Sequence, residues 1–260
     1  GAALRRPCRV HAGGYGDFAD CGLVILAAGT NQRPGETREA LLGRNRAILQ
    51  NILEQLTAVN RDAVLLVVSN PVDVLTGYTL ELSGFPAERV IGSGTVLDTA
   101  RIKCLLGEKL GVDSRNVHAF MLGEHGDSEV AVWSSANISG ADLDDFCLAA
   151  GIDDPESMLA SLAREVTHAA YDIIERKGAT CYGIAMAVRR IAEAIIRDEH
   201  AVLPVSTLAR GAYGIEGVCL GLPAVVGRSG VSQVLDLPLS RDETERLLAS
   251  AHKLKTLMEG

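Results

Sequence analysis

A histidine between two glycines is the side chain of this sequence best suited to proton transfer. His125 stands in the segment GEHGDS (residues 123–128), directly after an apolar run that predicts a buried strand over 117–122. An imidazole titrates near neutral pH, and glycines allow other groups to approach it closely. The pattern supports two interpretations: a proton donor in a reaction, or a hydrogen-bonded structural histidine at the end of a strand.

Two charged side chains that could act with this histidine begin a predicted helix. Asp98 and Arg101 are three residues apart, so they project on the same side of a helix over 97–110. A carboxylate suits the far nitrogen of a catalytic imidazole, and a guanidinium can bind a substrate carboxylate through two hydrogen bonds. The simpler alternative is an ion pair between the two on the protein surface.

Two polar segments follow predicted buried strands. The segment NQRPGETR (31–38) follows the first strand, where Arg38 could enter or leave a site as the loop moves. The segment SNPVD (69–73) follows the second and offers the amide of Asn70. Ligands of parallel sheets bind beyond the carboxyl ends of strands, which favours a functional role for both segments. A solvated loop and a strand-ending Asn-Pro turn are the structural alternatives.

The elements that must position these residues predict an α/β protein in two parts. Buried strands over 22–28, 63–68 and 89–91 alternate with helical segments, the first over 38–60, which indicates a parallel sheet. A second part follows, with an expected boundary that gives domains over 1–92 and 93–260. Its predicted strands cover 117–122, 129–133, 202–208 and 217–226, and its helices cover 97–110, 155–176, 181–198 and 241–258.

The glycine motif that opens a dinucleotide-binding unit, G-x-G-x-x-G, does not occur in the sequence. Residues 13–16 (GGYG) have the wrong spacing, and residues 92–94 (GSG) lack the third glycine. The pattern of strands therefore indicates a nucleotide-binding type of sheet without the turn that normally holds the pyrophosphate.

Composition narrows the class of protein. A net charge of −8 argues against nucleic acid and anionic membranes as partners, so a charged substrate would need local arginines. No apolar run approaches the roughly 18 residues of a membrane span. The six cysteines have no metal-type spacing, which indicates reduced core residues of a cytoplasmic protein and no metal site.

Together these segments resemble the L-lactate dehydrogenase family. GTNQRPGETR, SNPVD, LDTAR, GEHGDS and KGAT occur in the order and approximate spacing of that family, over essentially the whole chain. The resemblance implies a Rossmann-like parallel sheet whose first strands are missing, followed by the α+β C-terminal domain of lactate/malate dehydrogenases. A chain that starts inside the NAD-binding domain would also explain the absent glycine motif.

The resemblance implies roles in the reversible reduction of pyruvate to L-lactate by NADH, in fermentation. His125 is the expected acid–base residue, held in its charged form by Asp98. Arg101 would bind the substrate carboxylate, and Arg38 would polarise the carbonyl after loop closure. The other expected substrate-binding residues are Gln32, Asn70 and Thr180. The expected NAD contacts are Tyr15, Gly29, Thr30, Asn51, Val68, Ser69, Asn70 and Ser93.

Gln32 separates the possible substrates under this resemblance. An arginine six residues before Arg38 would pair the second carboxylate of oxaloacetate, whereas a neutral glutamine leaves that carboxylate unpaired and favours pyruvate. Two alternatives stay open: a lactate-like malate dehydrogenase, and an inactive truncated remnant.

The resemblance also implies an allosteric site and a homotetramer. Bacterial members often bind fructose 1,6-bisphosphate at a subunit interface through an arginine and a histidine. His118 matches the histidine, and Lys103 stands at the arginine position. Lysine keeps the charge but loses the two-pronged guanidinium, so weak or absent activation is expected. The alternative is a partly buried histidine near a surface lysine.

Overall fold

The computed structural model describes residues 9–30, 38–178 and 180–259, and they form two sheets packed with helices. The helices are α1 (Arg38–Thr57), α2 (Val72–Ser83), α3 (Val96–Leu110), α4 (Leu143–Ala149), α5 (Pro155–Lys177), α6 (Tyr182–Arg197) and α7 (Arg241–Glu259). The strands are β1 (Leu23–Leu26), β2 (Val64–Val67), β3 (Val90–Gly92), β4 (Val117–Leu122), β5 (Val130–Ile138), β6 (Ala141–Asp142), β7 (Ala201–Arg210), β8 (Glu216–Gly227) and β9 (Gly230–Val234). Within the described ranges, no helix has the length and apolar character needed to cross a bilayer.

The predicted parallel sheet is confirmed in the first part of the chain. β1, β2 and β3 pair side by side in parallel, with α1 and α2 as the connecting helices. Every residue of β2 is buried, as expected for a central strand covered by helices on both faces. The carboxyl ends of the three strands therefore meet at one edge, which is where ligands of such sheets bind.

The same sheet continues with strands from the end of the chain. β7 pairs antiparallel with β3, and β8 and β9 follow, which gives the order β1-β2-β3-β7-β8-β9. β7 and β8 correspond to the strands predicted over 202–208 and 217–226. The sequence does not predict the attachment of this pair to β3. A single residue pair, Gly92 with Ser206, defines the ladder between β3 and β7.

A second sheet, β4-β5-β6, is antiparallel and packs against α3 and α5. β5 extends to Ile138, beyond the predicted strand end at 133. β6 and α4 are short elements that the apolar pattern did not indicate. In α4 the side chain of Asp142 accepts a hydrogen bond from the backbone N–H of Asp144, which stabilises the first turn of a seven-residue helix.

The expectation of core cysteines is only partly correct. The five cysteines within the described residues are free thiols, and Cys147 and Cys219 are buried. Cys104 and Cys181 are exposed, because one lies on the outer face of α3 and the other lies at the start of α6. Cys8 lies outside the described residues.

Candidate active site

The loop that carries His125 is fastened between the two sheets. Gly123, at the end of β4, exchanges two backbone hydrogen bonds with Gly221 of β8, at N–O distances of 2.9 and 2.8 Å. Gly123 has a φ of +92°, and a Cβ there would lie 2.8 Å from the hydroxyl oxygen of Ser250. The first glycine of GEHGDS is therefore required by both backbone conformation and space.

Glu124 anchors the same loop to α7. Its backbone N–H donates to the Ser250 hydroxyl at 2.8 Å, and its buried carboxylate accepts from the Ser128 hydroxyl and from Lys253 Nζ, the latter at 2.5 Å. Sequence reasoning missed these contacts, since Glu124 and Ser250 are 126 residues apart. The last helix therefore fixes the loop on one side.

His125 and Asp98 form a direct pair. His125 Nδ1 lies 2.6 Å from Asp98 Oδ2, and Arg101 Nη1 donates to Asp98 Oδ1 at 3.1 Å. The Asp98 side chain is 3% exposed, whereas that of His125 is 23% exposed, so the carboxylate is buried behind the imidazole. Asp98 also lies in the first turn of α3, where the helix dipole favours an anion. The structure thus brings three of the predicted residues together.

The surroundings of His125 favour its protonated form. Burial alone would lower the pKa of the imidazole, but the hydrogen bond and the charge of Asp98, with the carboxylates of Asp73 and Glu129, raise it to about 9. Asp73 Oδ2 also accepts the backbone N–H of His125 at 2.8 Å, and burial raises the pKa of Asp73 to about 6. Asp73 belongs to the SNPVD segment but was not predicted as a site residue. A protonated imidazole can act as a general acid.

A cavity of about 430 Å³ opens in front of His125, and we call it the front cavity. Its lining includes Thr30 and Asn70 from the predicted set, together with Tyr171 and Lys253. Neither Arg101 nor Thr180 is among the described residues that line the front cavity. Gln32 and the side chain of Arg38 lie outside the described residues, although α1 begins at Arg38.

The predicted cofactor residues gather at the carboxyl edge of the parallel strands. Gly29 and Thr30 follow β1, Val68 and Ser69 follow β2, and Ser93 follows β3. The Ser69 hydroxyl donates to the carbonyl of Ala28 at 2.8 Å, which joins the first two loops. Asn45, a buried residue of α1 that sequence reasoning missed, accepts the backbone N–H of Thr30 at 2.8 Å.

Tyr15 and Asn51 are the two other predicted cofactor residues. Tyr15 lines an apolar cavity of about 270 Å³ against β1 and α1, with Ile52 and Leu56 among its neighbours. Asn51 is exposed on α1, and its side-chain oxygen accepts a hydrogen bond from Gln55. Neither this apolar cavity nor the front cavity includes Asn51 among its described lining residues.

The predicted allosteric residues share another cavity, of about 410 Å³. Lys103 and His118 line it together with Arg115 and Arg190, so four basic side chains face one space. Burial lowers the pKa of Lys103. His118 is exposed on β4 and not partly buried, which favours an accessible site over the structural alternative.

Models of two protein families match nearly the whole chain. The lactate/malate dehydrogenase NAD-binding domain matches residues 2–92, and the alpha/beta C-terminal domain of lactate/malate dehydrogenase matches residues 95–260.

Individual proteins are similar to this chain over nearly its whole length. An L-lactate dehydrogenase of Clostridium perfringens is 48% identical over 98% of this chain and 80% of its own length. One of Streptococcus gordonii is 50% identical over 99% of this chain and 78% of its own. Among solved structures, a lactate dehydrogenase from a Medee basin deep-sea metagenome library has a TM-score of 0.94 at 43% identity, covering 98% of this chain and 81% of its own. The ligand-bound minor L-lactate dehydrogenase of Enterococcus mundtii has a TM-score of 0.90 at 43% identity, covering 95% of this chain and 78% of its own.

Proposed function

Because the chain belongs to the lactate/malate dehydrogenase family, we propose that it reduces pyruvate to L-lactate with NADH and catalyses the reverse reaction. The single observation that carries the chemistry is the pair of His125 and Asp98, which are 2.6 Å apart, with His125 in the lining of the front cavity. A reduction of this kind needs a hydride donor and a proton donor, and the pair supplies the proton.

The residues at the sheet edge fit NAD as the cofactor. The cavity beside Tyr15 is lined mainly by aliphatic groups and by the two aromatic rings of Tyr15 and Phe18, which suits a flat base. The loops after β1 and β2 are joined by hydrogen bonds and lead from that cavity toward His125. When bound, the nicotinamide supplies the hydride.

The residues of the chain then have the following roles. Asp98 holds Nδ1 of His125, so Nε2 is the atom left to give its proton to the carbonyl oxygen of pyruvate. The Asp98 carboxylate stabilises the charged imidazole before this transfer. Arg101, oriented by Asp98, binds the substrate carboxylate. Arg38 polarises the carbonyl, and Gln32, Asn70 and Thr180 complete the substrate site.

Turnover with two substrates tests this function against its alternatives. We expect the purified protein to bind NADH, measured by nucleotide fluorescence, and to have a higher kcat/KM for pyruvate than for oxaloacetate. A preference for oxaloacetate would support the malate dehydrogenase alternative instead. Absence of both NADH binding and turnover in a folded protein would support the inactive remnant.

The domain division at residues 92 and 93 is part of the proposal. It is supported by the ranges of the two family models, which meet between residues 92 and 95. Limited proteolysis that releases a stable fragment beginning near residue 93 would support the division, whereas cleavage only elsewhere would contradict it.

Fructose 1,6-bisphosphate is proposed as a weak activator that binds at Lys103 and His118, weak because lysine lacks the two-pronged guanidinium. The neighbouring Arg115 and Arg190 support this, since two phosphate groups need several cations. Pyruvate reduction with and without the bisphosphate tests it, and equal rates would contradict it.

A homotetramer in the cytoplasm is proposed as well. Exposed apolar side chains of α6, at Tyr182, Met186 and Ile196, are suited to burial against another subunit. The free cysteines favour a reducing compartment. Light scattering on the purified protein gives the mass that decides the oligomeric state.

A further inference from the structure

Behind the pair of His125 and Asp98 lies a second buried acid, Glu129, which the proposed reaction does not use. One ligand atom each of Asp98, His125 and Glu129 lies within 4.8 Å of the other two. Glu129 is 7% exposed and immediately precedes β5. Its Oε1 accepts a hydrogen bond from the hydroxyl of Thr167 in α5 at 2.8 Å. The carboxyl is therefore held in place and close to the imidazole.

The groups that face Glu129 come from three directions. Asp98 and Arg101 approach from α3, His125 from the loop, and Thr167 from α5. Burial and then the charge of Asp98 raise the pKa of Glu129, while Thr167, His125 and Arg101 oppose that rise, and the result is about 8. The pKa of His125 is about 9. Each group favours the charged form of the other: the proton on His125 favours ionisation of Glu129, and the Glu129 anion favours the proton on His125.

Glu129 lines a cavity of about 720 Å³ between β5 and α5, which we call the rear cavity, and it is not in the described lining of the front cavity. Asp127 lines both cavities. The other titratable residues of the rear cavity are Asp127, Asp144, Glu156, Arg164, His168 and Arg246. The cavity therefore mixes acidic with basic side chains.

We propose that Glu129 is a positioning residue that exchanges its proton with water in the rear cavity and, as an anion, holds the proton on His125. This inference rests on the proposed function. Pyruvate reduction needs the protonated imidazole, so an ionised Glu129 extends reduction to higher pH. Lactate oxidation needs the neutral imidazole as base, so the same anion delays its onset.

Glu129→Gln tests the proposal, because the amide keeps the shape and can still accept from Thr167. The values of kcat/KM for pyruvate and for lactate are measured between about pH 6 and pH 10. We expect the alkaline limb of reduction and the acid limb of oxidation both to move down by about one pH unit. Reduction near pH 6.5 stays within about twofold of the wild type, since Glu129 is protonated there.

Two further variants separate a charge effect from a structural one. Thr167→Val removes a hydrogen bond that favours the ionised carboxyl, so both limbs are expected to move in the same direction by a smaller amount. Glu156→Gln changes an exposed carboxyl in the same cavity and is expected to move neither limb. A general loss of structure would lower the rates of both reactions but would not move the alkaline limb of reduction and the acid limb of oxidation in the same direction.

A titration without turnover distinguishes failure of the inference from failure of the proposed function. The pKa of His125 is measured by NMR of histidine-labelled protein, with its signal assigned by loss in His125→Asn. A lower pKa in Glu129→Gln supports the inference, and an unchanged pKa overturns it, even if the wild type reduces no 2-oxo acid. If Glu129→Gln fails to fold, the same titration of Thr167→Val decides between these outcomes.

Discussion

Asp98 contacts His125 and Arg101 with different oxygens of one carboxylate, at 2.6 Å and 3.1 Å. One buried group therefore orients both the proposed proton donor and the proposed carboxylate-binding guanidinium. Because Asp98 also lies in the first turn of α3, the position of that helix sets the geometry of both partners.

Asp98→Asn is expected to lower kcat/KM for pyruvate by at least about 100-fold, since the amide cannot stabilise a charged imidazole. The alkaline limb of the pH profile should also move to lower pH, because the hydrogen bond and charge of Asp98 raise the pKa of His125. Steady-state kinetics across pH measure both effects. Asp113→Asn, at an exposed ion pair with Arg115, is the matched control and should change neither. An unchanged profile in Asp98→Asn would contradict the proposed role.

The free energy of unfolding is expected to decrease as pH rises from about 6.5 to about 9. The pKa of His125 rises from 6.5 to about 9 on folding, so its contribution is fully present below pH 6.5 and is lost as pH rises through the folded value. Urea denaturation at several pH values measures this dependence. His125→Asn should show a smaller decrease over the same range; an equal decrease in both proteins would assign it to other groups.

Gly123→Ala is expected to destabilise the protein by about 3 kcal/mol, because a positive φ and a close approach to Ser250 are combined there. It should also lower kcat, since the displaced loop carries His125. Gly111→Ala is the matched control: its φ is +68°, but a Cβ would meet nothing within 4 Å. Gly111→Ala should lower the free energy of unfolding by about 1–2 kcal/mol and leave kcat unchanged. Chemical denaturation and pyruvate turnover measure the two effects, and equal results for both glycines would refute the argument.

Gln32→Arg is expected to raise kcat/KM for oxaloacetate relative to pyruvate by about tenfold or more, because the new guanidinium would pair the second carboxylate. Kinetics with both substrates measure the ratio, and Gln50→Arg on α1 is the control, since its side chain pairs with Glu54 on the exposed face. Failure of oxaloacetate reduction to increase would remove Gln32 as the residue that selects pyruvate.

Local patterns in the sequence predicted much of the fold but little of its assembly. The apolar runs at β1, β2 and β4 and the helical spacing of α3 and α5 correspond to observed elements, because each depends on residues close in the chain. β5 extends past its prediction through Ser134 and Ser135, whose polar side chains interrupt the apolar pattern. The addition of β7 to β3 depends on long-range packing that no local pattern encodes.

In the candidate site, too, local spacing was predictable from the sequence and contacts between distant residues were not. The spacing of Asp98 and Arg101 predicted their common side of a helix, and they do form an ion pair. Residue types made Asp98 a possible partner of His125, but only the family resemblance implied their contact, since 27 residues separate them. Glu129 gave no signal, because one acid after GEHGDS is ordinary in a sequence and only the packing of α5 buries it.

The two hydrogen bonds between Gly123 and Gly221 also bear on the order in which the protein matures during synthesis. The loop with His125 takes its partners from β8 and from Ser250, both made long after the loop itself. A nascent chain that has completed β4 and β5 therefore holds the histidine without its supports. The placement of His125 for proton donation therefore depends on β8 and α7, two elements that follow it in the chain.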